Sequence, residues 1–159
     1  MAIKVHLEQL KQQDLHLSGE LPEPVLDLQL GGKDALVLSA EPLQYQLDAQ
    51  RADDALLVTG SLSMDFACDC ARCLKPFTLP LQLPDWSCLL ALKGPDAVSV
   101  ENEHVDLTPW VREDILLGLP QHPMCGESCK GLVSQPETPP EPDEDGPSEA
   151  WSGLDEWKP

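Results

Sequence analysis

The sequence predicts an α+β fold, in which a mainly antiparallel β-sheet carries one principal helix and an acidic, proline-rich C-terminal tail follows. Apolar residues recur at every second position in short segments of the first ninety residues, which is the period of half-buried strands. One later segment, near residue 110, instead has helical spacing between helix start and stop signals. The length of 159 residues fits a single domain of ordinary size.

Three short strands are predicted before residue 50, each with apolar side chains on one face and polar side chains on the other. The second is closed by Pro22 and Pro24, which favour a turn. The alternating apolar sets are Ile3, Val5 and Leu7, then Leu15 and Leu17 before Gly19, and then Leu43, Tyr45 and Leu47.

The longest alternating segment runs from Val58 to Cys68 and predicts a long strand with one apolar face. The same parity continues to Cys70, so Cys68 is expected to end the core stripe and Cys70 to open a cysteine site. Residues 79–83 alternate as well, but Pro80 and Pro84 cannot donate hydrogen bonds to a neighbouring strand. That strand is therefore predicted to lie at a sheet edge, and the pattern resumes at residues 86–88.

The principal helix is predicted to begin at Thr108, a suitable cap, with Pro109 at the first helical position. Apolar residues then recur at helical spacing until Pro120 ends the run. We expect the apolar side of this helix to pack on the sheet.

Composition limits the classes of partner. The net charge is −18, and residues 1–133, the predicted domain, hold twenty acidic residues against nine basic ones. A sequence-independent nucleic-acid binder needs many lysines and arginines to displace counterions from phosphates, so a basic protein is the more natural partner. Residues 134–159 form the predicted tail, with eight acids and Lys158 as the single base.

The cellular compartment is predicted from what the chain lacks. Its first residues do not show the basic flank and apolar run of a secretory signal, and no segment approaches the roughly twenty apolar residues of a membrane span. We therefore expect a cytoplasmic protein without a membrane partner. Thiols stay reduced there, which favours metal binding or burial over disulfides for the six cysteines.

Four cysteines form two closely spaced pairs, Cys70 with Cys73 and Cys125 with Cys129. Two thiolates separated by two or three residues can bind one ion from a single turn, and two such turns complete the tetrahedron that zinc prefers. Spacing alone leaves buried or free thiols open as an alternative, because about fifty residues separate the two pairs. His122 is a reserve ligand, whereas Cys68 and Cys88 fit core positions better.

A thiol oxidoreductase using Cys70 and Cys73 is the alternative from another functional class. Such a motif usually activates its first thiol at the N-terminus of a helix. Pro76 follows closely here and disfavours a continuing helix. The chain shows no spacing typical of nucleophilic catalysis and no phosphate-binding loop, so no catalytic residue is predicted.

Three ordered blocks resemble the YceD family, the bacterial and plastid family described as large ribosomal RNA subunit accumulation proteins. The blocks are CARCLKPF at residues 70–77, DLTPWVREDILLGLP at residues 106–120 and CGESCKGL at residues 125–132. The resemblance implies a non-enzymatic ribosome biogenesis factor that supports accumulation of large-subunit ribosomal RNA. It also favours structural zinc at the four cysteines. Many members continue with a further Cys-Pro-x-Cys-Gly, whereas Val133, Ser134 and Gln135 follow the block here.

Two further sets of residues are candidate partner contacts. Arg112, Glu113 and Asp114 belong to the matched helix and predict either a solvated face or a docking surface. Trp151, Leu154 and Trp157 stand three residues apart in the tail and suggest docking, onto the domain or onto a partner. A disordered terminus is the alternative for the tail.

The expected partner is a basic ribosomal protein or a pre-large-subunit particle. Direct RNA contact through Arg72, Lys75 and Lys130 is a third possibility, limited by the net charge of −18.

Overall fold

The structure, a computed structural model, describes residues 2–132. The residues predicted to dock from the tail, Trp151, Leu154 and Trp157, lie outside these residues, so the division into a domain and a tail stays a prediction. The described part contains seven strands, two single helical turns and one longer helix. In chain order these are β1 Lys4–His6, α1 Leu7–Leu10, β2 Leu15–Leu21, α2 Glu23–Leu26, β3 Val37–Ala40, β4 Leu43–Ala52, β5 Ala55–Asp69, β6 Pro76–Ala91, β7 His104–Asp106 and α3 Thr108–Gly118.

The strands form two antiparallel sheets, which confirms the α+β prediction. The larger sheet has β5 at its centre, with β4 and β3 along one side and β6 along the other, and β2 pairs with the outer side of β4. The smaller sheet pairs β1 with β7. Among the described strands β6 pairs with β5 alone, so it lies at an edge, as its prolines predict.

The alternation predicted for the longest strand is confirmed on β5. Val58, Leu62, Met64, Phe66 and Cys68 are all buried, and they form one side of the hydrophobic core. The core is completed by other strands and by α3, whose inward residues Val111 and Ile115 are buried. The apolar side of α3 therefore packs on the core, as expected.

Two local predictions differ from the structure. Thr108 is not the cap: Leu107 occupies that position, and the Thr108 N–H donates to an Asp106 carboxylate oxygen at 2.9 Å. The Thr108 hydroxyl instead accepts from the Ile3 N–H at 3.1 Å, which ties α3 to the start of β1. The first strand also stops at His6, because His6 Nδ1 accepts from the Glu8 N–H and caps a helical turn that begins at Leu7.

Two connections bring distant residues together. The turn between β5 and β6 holds residues 70–75, and it is closed where the Cys70 N–H donates to the Lys75 carbonyl oxygen at 3.0 Å. The segment after α3, residues 119–132, returns to this turn. No helix in the described chain has the length and apolar character needed to cross a membrane.

Candidate metal centre

The turn between β5 and β6 and the loop after α3 are joined by backbone hydrogen bonds. The Ala71 N–H donates to the Pro123 carbonyl oxygen at 2.8 Å, and the Leu132 N–H donates to the Arg72 carbonyl oxygen at 3.1 Å. Pro123 is buried although its neighbours are exposed. The two loops are thus fixed to each other at both ends of the later cysteine pair.

This junction brings four cysteine sulfurs together. The Cys70 and Cys129 sulfurs are 3.7 Å apart, the Cys73 and Cys125 sulfurs are 3.8 Å apart, and all four lie within 4.8 Å of one another. Sulfurs bound to one zinc ion at about 2.3 Å stand roughly 3.8 Å apart along the edges of a tetrahedron. The donor set and its spacing therefore fit a four-coordinate metal site.

Each close sulfur pair contains one cysteine from each loop. The sulfur cluster thus joins the two loops to each other. Cys70 is fully buried, Cys73 and Cys129 are half-buried, and Cys125 is exposed. A metal bound here would be covered on the Cys70 side and nearer to solvent on the Cys125 side.

Backbone donors stabilise a thiolate at Cys70. The Cys125 N–H, 3.4 Å from the Cys70 sulfur, is the largest cause of a pKa lowered to about 6, and the Arg72 N–H at 3.5 Å contributes. Hydrogen bonds to the sulfurs of Cys129, Cys70 and Cys73 raise the pKa of Cys125 to about 12. Thiols must lose their protons to bind a metal, so a cation bound here would replace the thiol protons.

The local backbone explains how two short loops can surround one point. Leu74 adopts a left-handed conformation, with φ of 58°, and its N–H donates to the Cys70 carbonyl oxygen at 2.8 Å. Gly131 has φ of 77°, a conformation that glycine adopts without a steric penalty. The chain can therefore turn at Gly131 beside the cysteines.

The remaining sequence candidates lie outside the sulfur cluster. His122 is exposed and is not among the clustered ligand atoms. Cys68 is a core residue and Cys88 is partly buried against the core, as expected, and burial raises the pKa of each thiol. Arg72, Lys75 and Lys130 are exposed beside the cluster, and none forms an ion pair within residues 2–132.

The three charged residues of α3 have distinct environments. Arg112 Nε donates to the Asp27 carbonyl oxygen at 3.0 Å, and Asp114 accepts a hydrogen bond from the Trp86 indole at 2.6 Å. Glu113 is exposed. Two of the three side chains therefore make intramolecular contacts, and a docking role for the set stays a prediction.

Sequence reasoning missed two features of the centre. The first is the pair of N–H groups that donate to Cys70, since backbone direction in loops is not encoded by a spacing rule. The second is a group of exposed apolar side chains around the cysteines, Leu74, Met124 and Leu132. Large apolar residues in loops otherwise rich in glycine and polar residues could have indicated this exposed group from the sequence.

Comparisons with known proteins agree with the motifs. A family model described as "Large ribosomal RNA subunit accumulation protein YceD" matches residues 58–158. Uncharacterized proteins of Mycobacterium tuberculosis and Mycobacterium bovis are 28% identical over 101 residues, which cover 58% of this chain and 49% of each relative. The chain thus spans about half the length of the curated relatives it matches. No solved structure matches it significantly. Because the family match covers more than half of the chain and includes both cysteine pairs, the chain belongs to the YceD family.

Proposed function

We propose that this protein is a non-enzymatic ribosome biogenesis factor that supports accumulation of large-subunit ribosomal RNA, and that Cys70, Cys73, Cys125 and Cys129 hold one structural zinc ion. The family description names an accumulation protein rather than an enzyme. The observation that carries the metal assignment is the cluster of four sulfurs within 4.8 Å of one another.

A structural role for the ion follows from the number of ligands. Four thiolates fill the tetrahedral positions of zinc, whereas catalytic zinc keeps a position open for water or substrate. The ion would link the turn after β5 to the loop after α3, which are far apart in sequence. Its contribution is to hold these loops in one geometry.

The acidic surface supports a basic partner. Residues 2–132 hold twenty acidic residues against nine basic ones, so the domain attracts a basic ribosomal protein or a particle that presents one. Direct RNA binding would depend on few bases and would show a shallow dependence on salt.

The oxidoreductase alternative is not favoured by the geometry. Cys70 belongs to a cluster of four sulfurs rather than to an isolated pair with Cys73, and Cys70 is fully buried. The chain after Cys73 enters strand β6 at Pro76, so no helix N-terminus activates the first thiol.

The metal assignment is tested by measuring metal content and mass of the full chain under native conditions. We expect one zinc per chain in the wild type and loss of most of it in Cys125→Ser and Cys129→Ser, because three thiolates bind zinc more weakly. Cys88→Ser is the matched control and should keep the metal, since Cys88 lies outside the cluster. Iron in place of zinc, or full zinc retention in Cys129→Ser, would contradict the assignment.

The cellular role is tested by depleting the protein and measuring the ratio of large to small ribosomal subunits. We expect large subunits and their RNA to decrease, and wild-type protein to restore them. Capture of the tagged full chain should retain a basic ribosomal protein after nuclease treatment. An unchanged subunit ratio after depletion would contradict the proposed role. Capture of RNA without a basic ribosomal protein would instead favour direct RNA binding.

A further inference from the structure

The cysteine loops carry a concentrated apolar surface. We call residues 70–75 and 123–132 the cysteine tip. Leu74, Met124 and Leu132 on this tip are 58%, 51% and 64% exposed. These are three of the seven large apolar side chains that are exposed in residues 2–132, although the tip is a small part of that length. Such a concentration is typical of an interaction site.

Backbone hydrogen bonds join the chain segments that carry these side chains. Leu132 donates its N–H to the carbonyl oxygen of Arg72, two residues before Leu74. Met124 follows Pro123, whose carbonyl oxygen accepts from the Ala71 N–H at 2.8 Å. The three apolar residues therefore project from adjacent chain segments of one folded unit.

The tip also differs from the rest of the domain in charge. It holds Arg72, Lys75 and Lys130 against a single acid, Glu127, while the remainder of residues 2–132 holds nineteen acids and six bases. A zinc ion with four thiolates adds a net charge of about −2, which leaves the tip near neutral. An acidic ligand is repelled by most of this domain and is not repelled here.

The chain itself contains a segment with the complementary chemistry. Residues 134–159, outside the described residues, combine eight acids with Trp151, Leu154 and Trp157. The family match extends to residue 158, so this segment belongs to the family pattern rather than to an unrelated extension. Residues 133–150 separate Leu132 from Trp151, which is ample to reach any point on the tip at about 3.3 Å per extended residue.

We propose that the segment containing Trp151, Leu154 and Trp157 docks on the cysteine tip of its own chain. The apolar side chains bury against Leu74, Met124 and Leu132, while the neighbouring acids lie beside the exposed bases. Tethering directly after Leu132 gives a high effective concentration, so weak contacts suffice. RNA is a poorer occupant because phosphates would leave the three apolar side chains exposed.

The test uses the indole N–H resonances of the zinc-loaded full chain, assigned by single Trp→Phe variants. Trp86 is an internal reference because its indole donates to Asp114 within the domain. We expect the Trp151 and Trp157 resonances to differ from those of an isolated peptide of residues 146–159. Leu132→Ser should shift both toward the peptide positions, with about a fivefold lower ratio of docked to free segment from the lost apolar burial.

Leu89→Ser is the matched control, because Leu89 is 65% exposed, close to the 64% of Leu132, but pairs with Leu57 on β5, away from the tip. Lys75→Glu provides a second variant in which the apolar side chains are intact, and it should also weaken docking. Peptide-like resonances in the wild type, or equal responses to Leu132→Ser and Leu89→Ser, would overturn the proposal. Shifts that depend on protein concentration would assign the contact to a second copy and also overturn it.

This inference does not require the ribosomal role. It requires only a folded tip, so zinc content is measured in the same samples. Zinc together with docking supports the proposal, and zinc without docking overturns it while leaving the metal assignment intact.

Discussion

The hydrogen bond between Trp86 and Asp114 shows how one residue pair joins two elements. Trp86, on β6, is 6% exposed, and its indole N–H donates to the Asp114 carboxylate on α3 at 2.6 Å. Among the described residues no buried side-chain nitrogen or oxygen lacks a partner. Asp114 interrupts the apolar spacing of α3 because it accepts the hydrogen bond of the buried Trp86 indole.

Asp114→Ala is expected to lower the free energy of unfolding by about 1–3 kcal/mol, because it leaves the buried Trp86 donor without its acceptor. Urea unfolding followed by circular dichroism measures the change. Glu113→Ala, at the exposed neighbouring position, should change stability by less than about 0.5 kcal/mol. Equal losses in the two variants would show that the Trp86 contact is not the cause.

At the scale of elements, the pairing of β5 with β6 contains one irregularity. Gly60 faces Trp86 and Leu62 faces Leu83, so β6 has one more residue than β5 between these pairs. This bulge changes the parity of β6, and the inward positions move from Leu81 and Leu83 to Trp86 and Leu90. Pro84 lies in the bulge, where a missing N–H is tolerated.

Gly60→Ala is expected to destabilise the fold by about 3 kcal/mol or more, since the clash involves backbone atoms. An added Cβ would lie 2.0 Å from the Gln46 carbonyl oxygen and 2.9 Å from the Leu47 Cα, and φ is 153°. Thermal unfolding of the full chain measures the loss.

Gly32→Ala is the matched control for Gly60→Ala. A Cβ added at Gly32 would have the Ala35 Cβ as its nearest contact, at 4.0 Å, and the φ angle of Gly32 lies outside the left-handed region. Little change is expected there. A Gly60→Ala protein as stable as Gly32→Ala would contradict the close approach of β4 to β5.

At the scale of the whole molecule, the cysteine centre lies outside the hydrophobic core. The core extends along β5 as far as Cys68, whereas Cys70 and the other clustered cysteines are not members of it. Small zinc modules unfold without their metal because they have little else to stabilise them. This domain has an extensive sheet core outside the cysteines, so we expect the fold to persist without the proposed metal.

Chelation of zinc is therefore expected to release the loops without unfolding the sheet. Hydrogen exchange in the metal-free protein should become at least about tenfold faster at Ala71 and Leu132, whose N–H groups join the two loops, because local opening no longer requires metal release. Amides in the β4–β5 ladder should keep their protection. Loss of protection throughout the ladder would show that the metal stabilises the whole domain.

Alternation and residue spacing were sufficient to predict much of this protein. The apolar face of β5, the edge position of β6 and the inward face of α3 follow from side-chain periodicity, which local geometry imposes on any strand or helix. The short elements α1, α2, β3 and β7 were not predicted, because segments of three or four residues contain too few positions to establish a period. The equally short β1 was predicted only because the alternation extends beyond it, from Ile3 to Leu7.

The candidate ligands could be identified without a structure, since two short cysteine spacings are a chemical property of the chain. The tertiary structure was needed to show that the two pairs meet, that the Cys70 and Cys129 sulfurs are in contact, and that Asp114 accepts a hydrogen bond from Trp86. The pairs are separated by more than fifty residues, and no local rule states which loops approach each other. The long β5–β6 hairpin and the returning segment after α3 bring them together, so the site depends on the packing of the whole domain.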